Sequence, residues 1–174
     1  MLRDLACQFP ELLDTLAEAD TAFASEQPTA TQRLSDFIYP HPAFSDDTRR
    51  AQEDALKATE VAQPALGAAS LGALRVLQSF GVTPQLAAGH SYGELLALCA
   101  SGRIESDTLH RLSNLRGRLM AQANGAGDRG AMLAVRVGAE AVAPLLPAGV
   151  EIAGVNAPGL TVVAGAHEAI DAFA

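Results

Sequence analysis

The sequence predicts an α/β fold with a parallel sheet, and three observations carry that expectation. A short apolar run, Leu86-Ala87-Ala88, follows Pro84 and reads as a buried strand. It passes through a glycine-flanked serine turn straight into a helical segment, as a strand does when a helix packs back over its sheet. Beyond a glycine-rich stretch, Gly125–Gly130, the pattern changes to short strands and helices in alternation, which sets a subdomain boundary there. With 174 residues, 49% of them hydrophobic and 18% charged, the chain can bury the core of one domain or of part of a larger one.

Taken in order, Leu2, Leu5 and Ala6 and then Phe9, Leu12, Leu13 and Leu16 recur at helical spacing. Pro10 starts a second helix at its first turn, where a missing N–H costs nothing. Residues 26–48 hold three prolines and read as loop, with a short helical turn around Leu34–Tyr39. Asp47–Ala58 is a polar helix. Pro64 opens an alanine-rich helix that carries Leu66, Leu71, Leu74, Leu77 and Phe80 and stops at Gly81. After the serine turn, Leu95–Ala100 is helical and closed by Gly102, and a helix over Ser106–Ala123 stops at Asn124-Gly125. The remaining units are a strand over Ala131–Val137, a helix over Ala139–Leu146, a strand over Val150–Val155, and a turn, Asn156-Ala157-Pro158-Gly159. A strand over Thr161–Ala164 and a helix from near His167 complete the pattern. The chain ends at Ala174 inside that helical pattern, which reads as a cut.

A net charge of −8 with no basic stripe argues against nucleic-acid binding. Cys7 and Cys99 lie far apart without metal-ligand spacing, and Cys99 sits in an apolar run, so it reads as a buried thiol and no metal is expected. No apolar segment approaches membrane-spanning length, and no positive region followed by an apolar block opens the chain. A cytoplasmic, reducing setting without membrane contact is the expectation.

Gly89-His90-Ser91-Tyr92-Gly93-Glu94 is where the chemistry concentrates. A Gly-x-Ser-x-Gly turn between strand and helix is a nucleophile elbow: the serine takes a strained backbone, and the glycines let strand and helix approach. Its hydroxyl then projects at a helix N-terminus, where the Tyr92 backbone N–H can stabilise a developing oxyanion. A serine nucleophile needs a base within hydrogen-bond reach. His90 diverges from Ser91 and reads as packing behind the elbow, His41 and His110 as surface residues, and His167 as the opening of a helix.

The second candidate is Arg116. Along the Ser106–Ala123 helix, Leu109, Leu112, Leu119 and Met120 share a face and Arg116 falls within it, whereas Arg111 and Arg118 fall on the solvated side. A guanidinium on a core-facing stripe requires acceptors. Either an internal ion pair or snorkelling satisfies it, or it offers a planar fork to a substrate carboxylate.

With these residues the sequence resembles the malonyl-CoA:acyl-carrier-protein transacylase family, including the acyltransferase domains of polyketide synthases. Gly89–Glu94 matches that family's GHSxGE motif, and Leu115-Arg116-Gly117 matches the position of its carboxylate-binding arginine. Gln63-Pro64-Ala65-Leu66 resembles its QPAL-type helix start. Gly130-Ala131-Met132 with Asn156-Ala157-Pro158-Gly159 resembles entry into its small subdomain. Tyr92 and the stretch Gln63–Gly102 are closest to iterative, multidomain polyketide or polyunsaturated-fatty-acid synthases. The resemblance implies an incomplete hydrolase-like core over residues 1–129 and a partial ferredoxin-like subdomain over 130–174. It implies transfer of a malonyl-type group from a CoA thioester through acyl-Ser91 to the phosphopantetheine of an acyl carrier protein, with no bound cofactor. Arg116 would hold the acyl carboxylate, with Gln63 and His90 as further substrate-binding positions, and a ketosynthase would be a neighbouring domain. The family's GQGSQ-like opening and its catalytic histidine have no counterpart here, and Leu160 stands where the family often has glutamine. The chain alone is therefore expected to be inactive. The competing readings are a serine hydrolase or thioesterase, and a non-catalytic remnant that acts as a docking module.

Overall fold

The computed structural model describes residues 2–27, 31–123 and 130–174. The chain divides into two compact units, residues 1–122 and 123–174. The helix stop at Asn124-Gly125 and most of the glycine-rich boundary lie outside the described residues.

The first unit is helical. α1 (Arg3–Gln8) is followed by α2 (Pro10–Glu26), with Pro10 at its first turn as the sequence predicts. α3 (Leu34–Ile38) begins where Asp36 accepts the Arg33 N–H at 3.0 Å. α4 (Asp46–Lys57) is capped by Ser45, whose hydroxyl oxygen accepts the Thr48 N–H at 3.1 Å. α5 (Thr59–Ser79), α6 (Gly93–Ala100) and α7 (Ser106–Ala123) complete the unit. Gly81 and Gly102, at φ 78° and 70°, end α5 and α6 in the same way. Each glycine N–H reaches back three residues, to the Gln78 or Cys99 carbonyl, and the next N–H reaches Leu77 or Leu98.

The core lies where α2, α3 and α5 meet, around Leu12, Leu16, Phe23, Leu34, Ile38, Val61, Ala65 and Ala68. Gly72 on α5 leaves the space that the Leu12 side chain fills. Each buried Leu or Phe contributes roughly 1.5–3 kcal/mol relative to exposure.

Two expectations are corrected here. Pro64 does not open α5 but lies inside it, because the Val61 and Ala62 N–H groups already bond to the Ala58 carbonyl. The proline removes one bond, the one Glu60 would have accepted, and its own ring is buried. The run Leu86-Ala87-Ala88 is not a strand. It is irregular and exposed, Leu86 at 94%, and among the described residues of this unit no strand lies beside it. A strand exists through pairing of its backbone groups, so an isolated apolar run gains nothing by extending. The parallel sheet expected over residues 1–129 is therefore absent from the described residues.

The second unit holds β1 (Ala131–Val135), α8 (Ala139–Val142) with a 3-10 turn over Ala143–Leu145, β2 (Val150–Ala157), β3 (Leu160–Gly165) and α9 (His167–Phe173). The sheet is antiparallel with β3 in the centre, in the order β1-β3-β2. β2 and β3 close around Pro158-Gly159 with Ala157 opposite Leu160, so the strands take in part of the expected four-residue turn. Val142, Val150, Val163 and Ile170 form the core on one face.

Candidate active site

The site is built from α5, the turn before α6, and α7, all within the first unit. At the turn Ser91 has φ 55°, the left-handed region that a non-glycine side chain enters at a cost of about 1–2 kcal/mol. The strain is held by backbone bonds. The Gly93, Glu94 and Leu95 N–H groups bond to the His90, Ser91 and Tyr92 carbonyls at 2.9–3.1 Å. These bonds do not use the N–H of Tyr92, the N-cap residue of α6 beside the serine. Gly89 is required for the closeness of the turn, since a Cβ there would meet the Gly93 carbonyl. Gly93 is not so constrained, because a Cβ there meets nothing within 4 Å.

Arg116 reaches Ser91 from α7. Its Nη2 donates to Ser91 Oγ at 3.3 Å and its Nη1 donates to Gln63 Oε1 at 2.7 Å. Gln63 is buried in α5 and its Nε2 contacts the Met120 sulfur at 3.2 Å. Among the described residues no carboxylate pairs with Arg116, unlike Arg75 and Arg118, which pair with Glu18 at 2.9 Å and Glu26 at 2.7 Å. The guanidinium thus spans a neutral amide and a hydroxyl, with its charge uncompensated by an anion.

The Tyr92 side chain turns under the elbow. It is 9% exposed and its hydroxyl lies 2.6 Å from Ser113 Oγ on α7. Ser113 spends its own proton on the Leu109 carbonyl at 2.6 Å, so Tyr92 donates and Ser113 accepts. Burial pushes the phenol up to about 12.

α7 does not bury the face its leucines define. The buried positions are Leu109, His110, Ser113, Asn114 and Gly117, whereas Leu119 is 55% exposed and Met120 is also exposed. Small residues face α5 because the backbones come close: a Cβ at Gly117 would lie 2.9 Å from the Thr59 carbonyl oxygen. Arg116 sits half-buried at the edge of this face. Arg118, expected to be solvated, also donates to the Glu26 carbonyl at 2.9 Å.

His110 is not a surface residue either. Its ring is 2% exposed, with the Glu18 carboxylate 3.9 Å from Nε2, and burial holds its imidazole below the ordinary histidine range. His41 and His90 are exposed, and His167 opens α9 in the other unit. The Ser91 hydroxyl is met by Arg116, which cannot act as a base. Ser113 and Gly67, which lie against the Tyr92 hydroxyl, escape sequence reasoning because small residues in helices usually signal nothing more than close packing. Among the described residues, no group of three or more His, Cys, Asp or Glu is placed to hold a metal ion. No described helix is long and apolar enough to cross a membrane.

A left-handed serine at a helix start, an adjacent backbone amide and an arginine fork beside the hydroxyl thus meet at one turn. Residues 6–174 match the family model described as the acyl transferase domain, and the chain belongs to that family. It is 47% identical over 122 residues, 70% of this chain, to mycoketide-CoA synthase of Mycobacterium tuberculosis, of which that segment is 3%. It is 31% identical over 176 residues, 99% of this chain, to a polyunsaturated fatty acid synthase polypeptide of Thraustochytrium, of which that segment is 6%. An acyl carrier protein S-malonyltransferase from Vibrio cholerae is 34% identical with a TM-score of 0.77, over 99% of this chain and 53% of that one. The malonyl-transacylase solved with its type II PKS acyl-carrier protein, PlMCAT:AntF, is 34% identical with a TM-score of 0.78, over 99% and 52%. The chain thus spans about half the length of these two solved neighbours and a small part of the synthases.

Proposed function

We propose that this chain carries the nucleophile and the acyl-carboxylate site of an acyltransferase that moves a malonyl-type group from CoA to a phosphopantetheinylated carrier protein. The observation that supports this most is the uncompensated Arg116 guanidinium bonded to the hydroxyl of a strained serine. A malonyl thioester with its carbonyl carbon at Ser91 Oγ extends its carboxylate by two bonds, into the reach of that fork. Ser91 Oγ attacks the carbonyl carbon, a base takes the hydroxyl proton, and the Tyr92 N–H holds the oxyanion. The carbon–sulfur bond then breaks and CoA leaves as its thiol. The carrier's thiol reverses the sequence to regenerate the serine. Gln63 holds one arm of Arg116 in place, and the base is a histidine supplied outside these 174 residues. His90 is a further substrate-binding position, at the exposed rim of the turn.

The two units correspond in this reading to a hydrolase-like core and to a ferredoxin-like subdomain, whose strand order, helix after β1 and hairpin β2-β3 fit a β-α-β-β-α beginning. The setting is cytoplasmic, beside the ketosynthase and carrier of a larger synthase. A hydrolase or thioesterase has no use for an arginine aimed at the acyl chain.

The experiment is a donor comparison in a complete acyltransferase domain that contains this chain. Intact mass after malonyl-CoA should show one adduct, lost in Ser91→Ala. Arg116→Ala should lower malonyl transfer roughly a hundredfold or more relative to acetyl transfer, as expected when one partner of a desolvated charged pair is removed. Arg116→Lys should rescue poorly, since lysine lacks the fork. Equal losses for both donors would make Arg116 structural and end this assignment.

A further inference from the structure

The stretch Leu77–Thr108 contains the nucleophile turn and all of α6, yet Tyr92 is its single buried side chain. Everything else in that stretch is exposed or half-buried. An apolar hollow of about 250 Å³, lined by Leu71, Leu74, Ala87, Leu96 and Ala97 among others, lies between α5 and α6. The buried side chain of the stretch is thus the one adjacent to Ser91.

The anchor has a defined geometry. The Tyr92 hydroxyl donates to Ser113 Oγ at 2.6 Å, and Ser113 Oγ donates to the Leu109 carbonyl at 2.6 Å. Ser113 lies one helical turn before Arg116 on the same side of α7. The chain of two hydrogen bonds therefore ties the residue after Ser91 to the helix that carries Arg116. Room for the phenol comes from α5: a Cβ at Gly67 would collide with the Tyr92 hydroxyl and lie 3.2 Å from Ser113 Oγ. Three elements meet at one buried hydroxyl pair.

We propose that the Tyr92 phenol is a positioning residue, which through Ser113 seats the nucleophile turn on α7 and fixes the separation of Ser91 Oγ from the Arg116 fork. This inference rests on the reading of Arg116 as the carboxylate site and adds a role for a side chain that the chemistry itself does not require. The backbone N–H of Tyr92 serves the oxyanion whatever the side chain. The phenol serves the register between nucleophile and carboxylate site. A donor that uses both groups, malonyl-CoA, depends on that register. A donor that uses the serine alone, acetyl-CoA, depends on it less.

The test uses the complete acyltransferase domain and reads kcat/KM for malonyl- and acetyl-CoA side by side. Tyr92→Phe keeps the ring and removes the hydrogen bond. It should lower malonyl transfer about three- to tenfold, the worth of one such bond, and acetyl transfer distinctly less, so that the donor ratio falls. Ser113→Ala should move the ratio in the same direction, and the double variant should be no worse than the more impaired single one, because both remove the same link. Gly67→Ala should lower the ratio in the presence of the phenol, and Tyr92→Phe should relieve part of that loss by removing the atom the new methyl meets. A fall shared equally by both donors, or additive effects of Tyr92→Phe and Ser113→Ala, would mean that the tyrosine is only packing and overturn the proposal. An unchanged ratio in Tyr92→Phe beside a collapsed one in Arg116→Ala overturns it while leaving the carboxylate site standing. An unchanged ratio in Arg116→Ala removes both.

Discussion

Ser91 and His110 show how differently two single residues can be legible. Ser91 is announced by its neighbours, because the glycine two positions before it is needed where the turn folds back on itself, and the left-handed φ follows. His110 carries no such local signal. It stands among polar residues and reads as a surface position, but the face of α7 that meets the core is chosen by close backbone approach and not by hydrophobicity. Its burial has a measurable consequence. Desolvation depresses the imidazole below its ordinary 6.5, opposed by Glu18, reinforced by Arg75 and opposed again by Asp107. A depressed histidine is neutral when folded, whereas the unfolded chain takes up a proton as pH falls through the ordinary value, so the unfolded state binds more protons. Stability should therefore fall as pH drops below about 6.5 and level off once the folded histidine also titrates. Urea midpoints at several pH values between about 7 and 5 should show this slope, and His110→Leu should reduce it. An unchanged slope would assign the effect to other groups.

At the scale of elements, periodicity locates the helices well and misjudges what they face. The start of α2 and the ends of α5 and α6 follow from Pro10, Gly81 and Gly102, whose backbone chemistry is local. The face of α7 and the fate of Leu86-Ala87-Ala88 depend on partners, which a local pattern cannot supply. Gly117 makes the point in a testable form. It lies against Thr59 and Glu60 backbone atoms, at 2.9 Å and 3.0 Å from where a Cβ would sit, and backbone cannot swing aside as a flexible side chain can. On helix propensity alone, Gly117→Ala in the middle of α7 would stabilise by about 1 kcal/mol. Overpacking should instead win and destabilise by about 1–3 kcal/mol. Because α7 holds Arg116, the same change should also weaken discrimination between malonyl and acetyl donors. A variant more stable than wild type by denaturant unfolding would show that α5 and α7 can separate at no cost.

For the molecule as a whole, the charge balance, the mixed α/β character and the family are legible from composition and from the motifs around Ser91 and Arg116. The absence of the expected parallel sheet from the described residues is not, since an apolar run becomes a strand only where a neighbour pairs with it, and no local pattern reveals whether that neighbour is there. The activity expected of residues 1–174 by themselves follows from what surrounds Ser91. Ser91 is bonded to a cation, His110 is buried against Glu18, and His41 and His90 are exposed. On the proposed reading, in which the base is supplied from elsewhere, the assistance of roughly 10²- to 10⁴-fold that proton transfer supplies is missing. Malonyl-CoA and a carrier protein incubated with this chain should yield little acyl-carrier by intact mass. Robust transfer would mean that one of its histidines reaches the serine after all.

The small sheet carries a consequence for how strands can be added to it. β2 pairs with β3 through two shifts of register, at Ile152/Gly154 and Val155/Ala157, whereas β1 runs unbroken from Ala131 opposite Gly165 to Val135 opposite Thr161. Irregularities of that kind twist an edge and interrupt the even spacing of donors and acceptors that an incoming strand needs. The two rims of the sheet are thus unequal templates. β1 offers a regular ladder for further polypeptide, while β2 caps growth on its side, so the sheet has a direction in which it can be extended and one in which it is protected from fibril-like stacking.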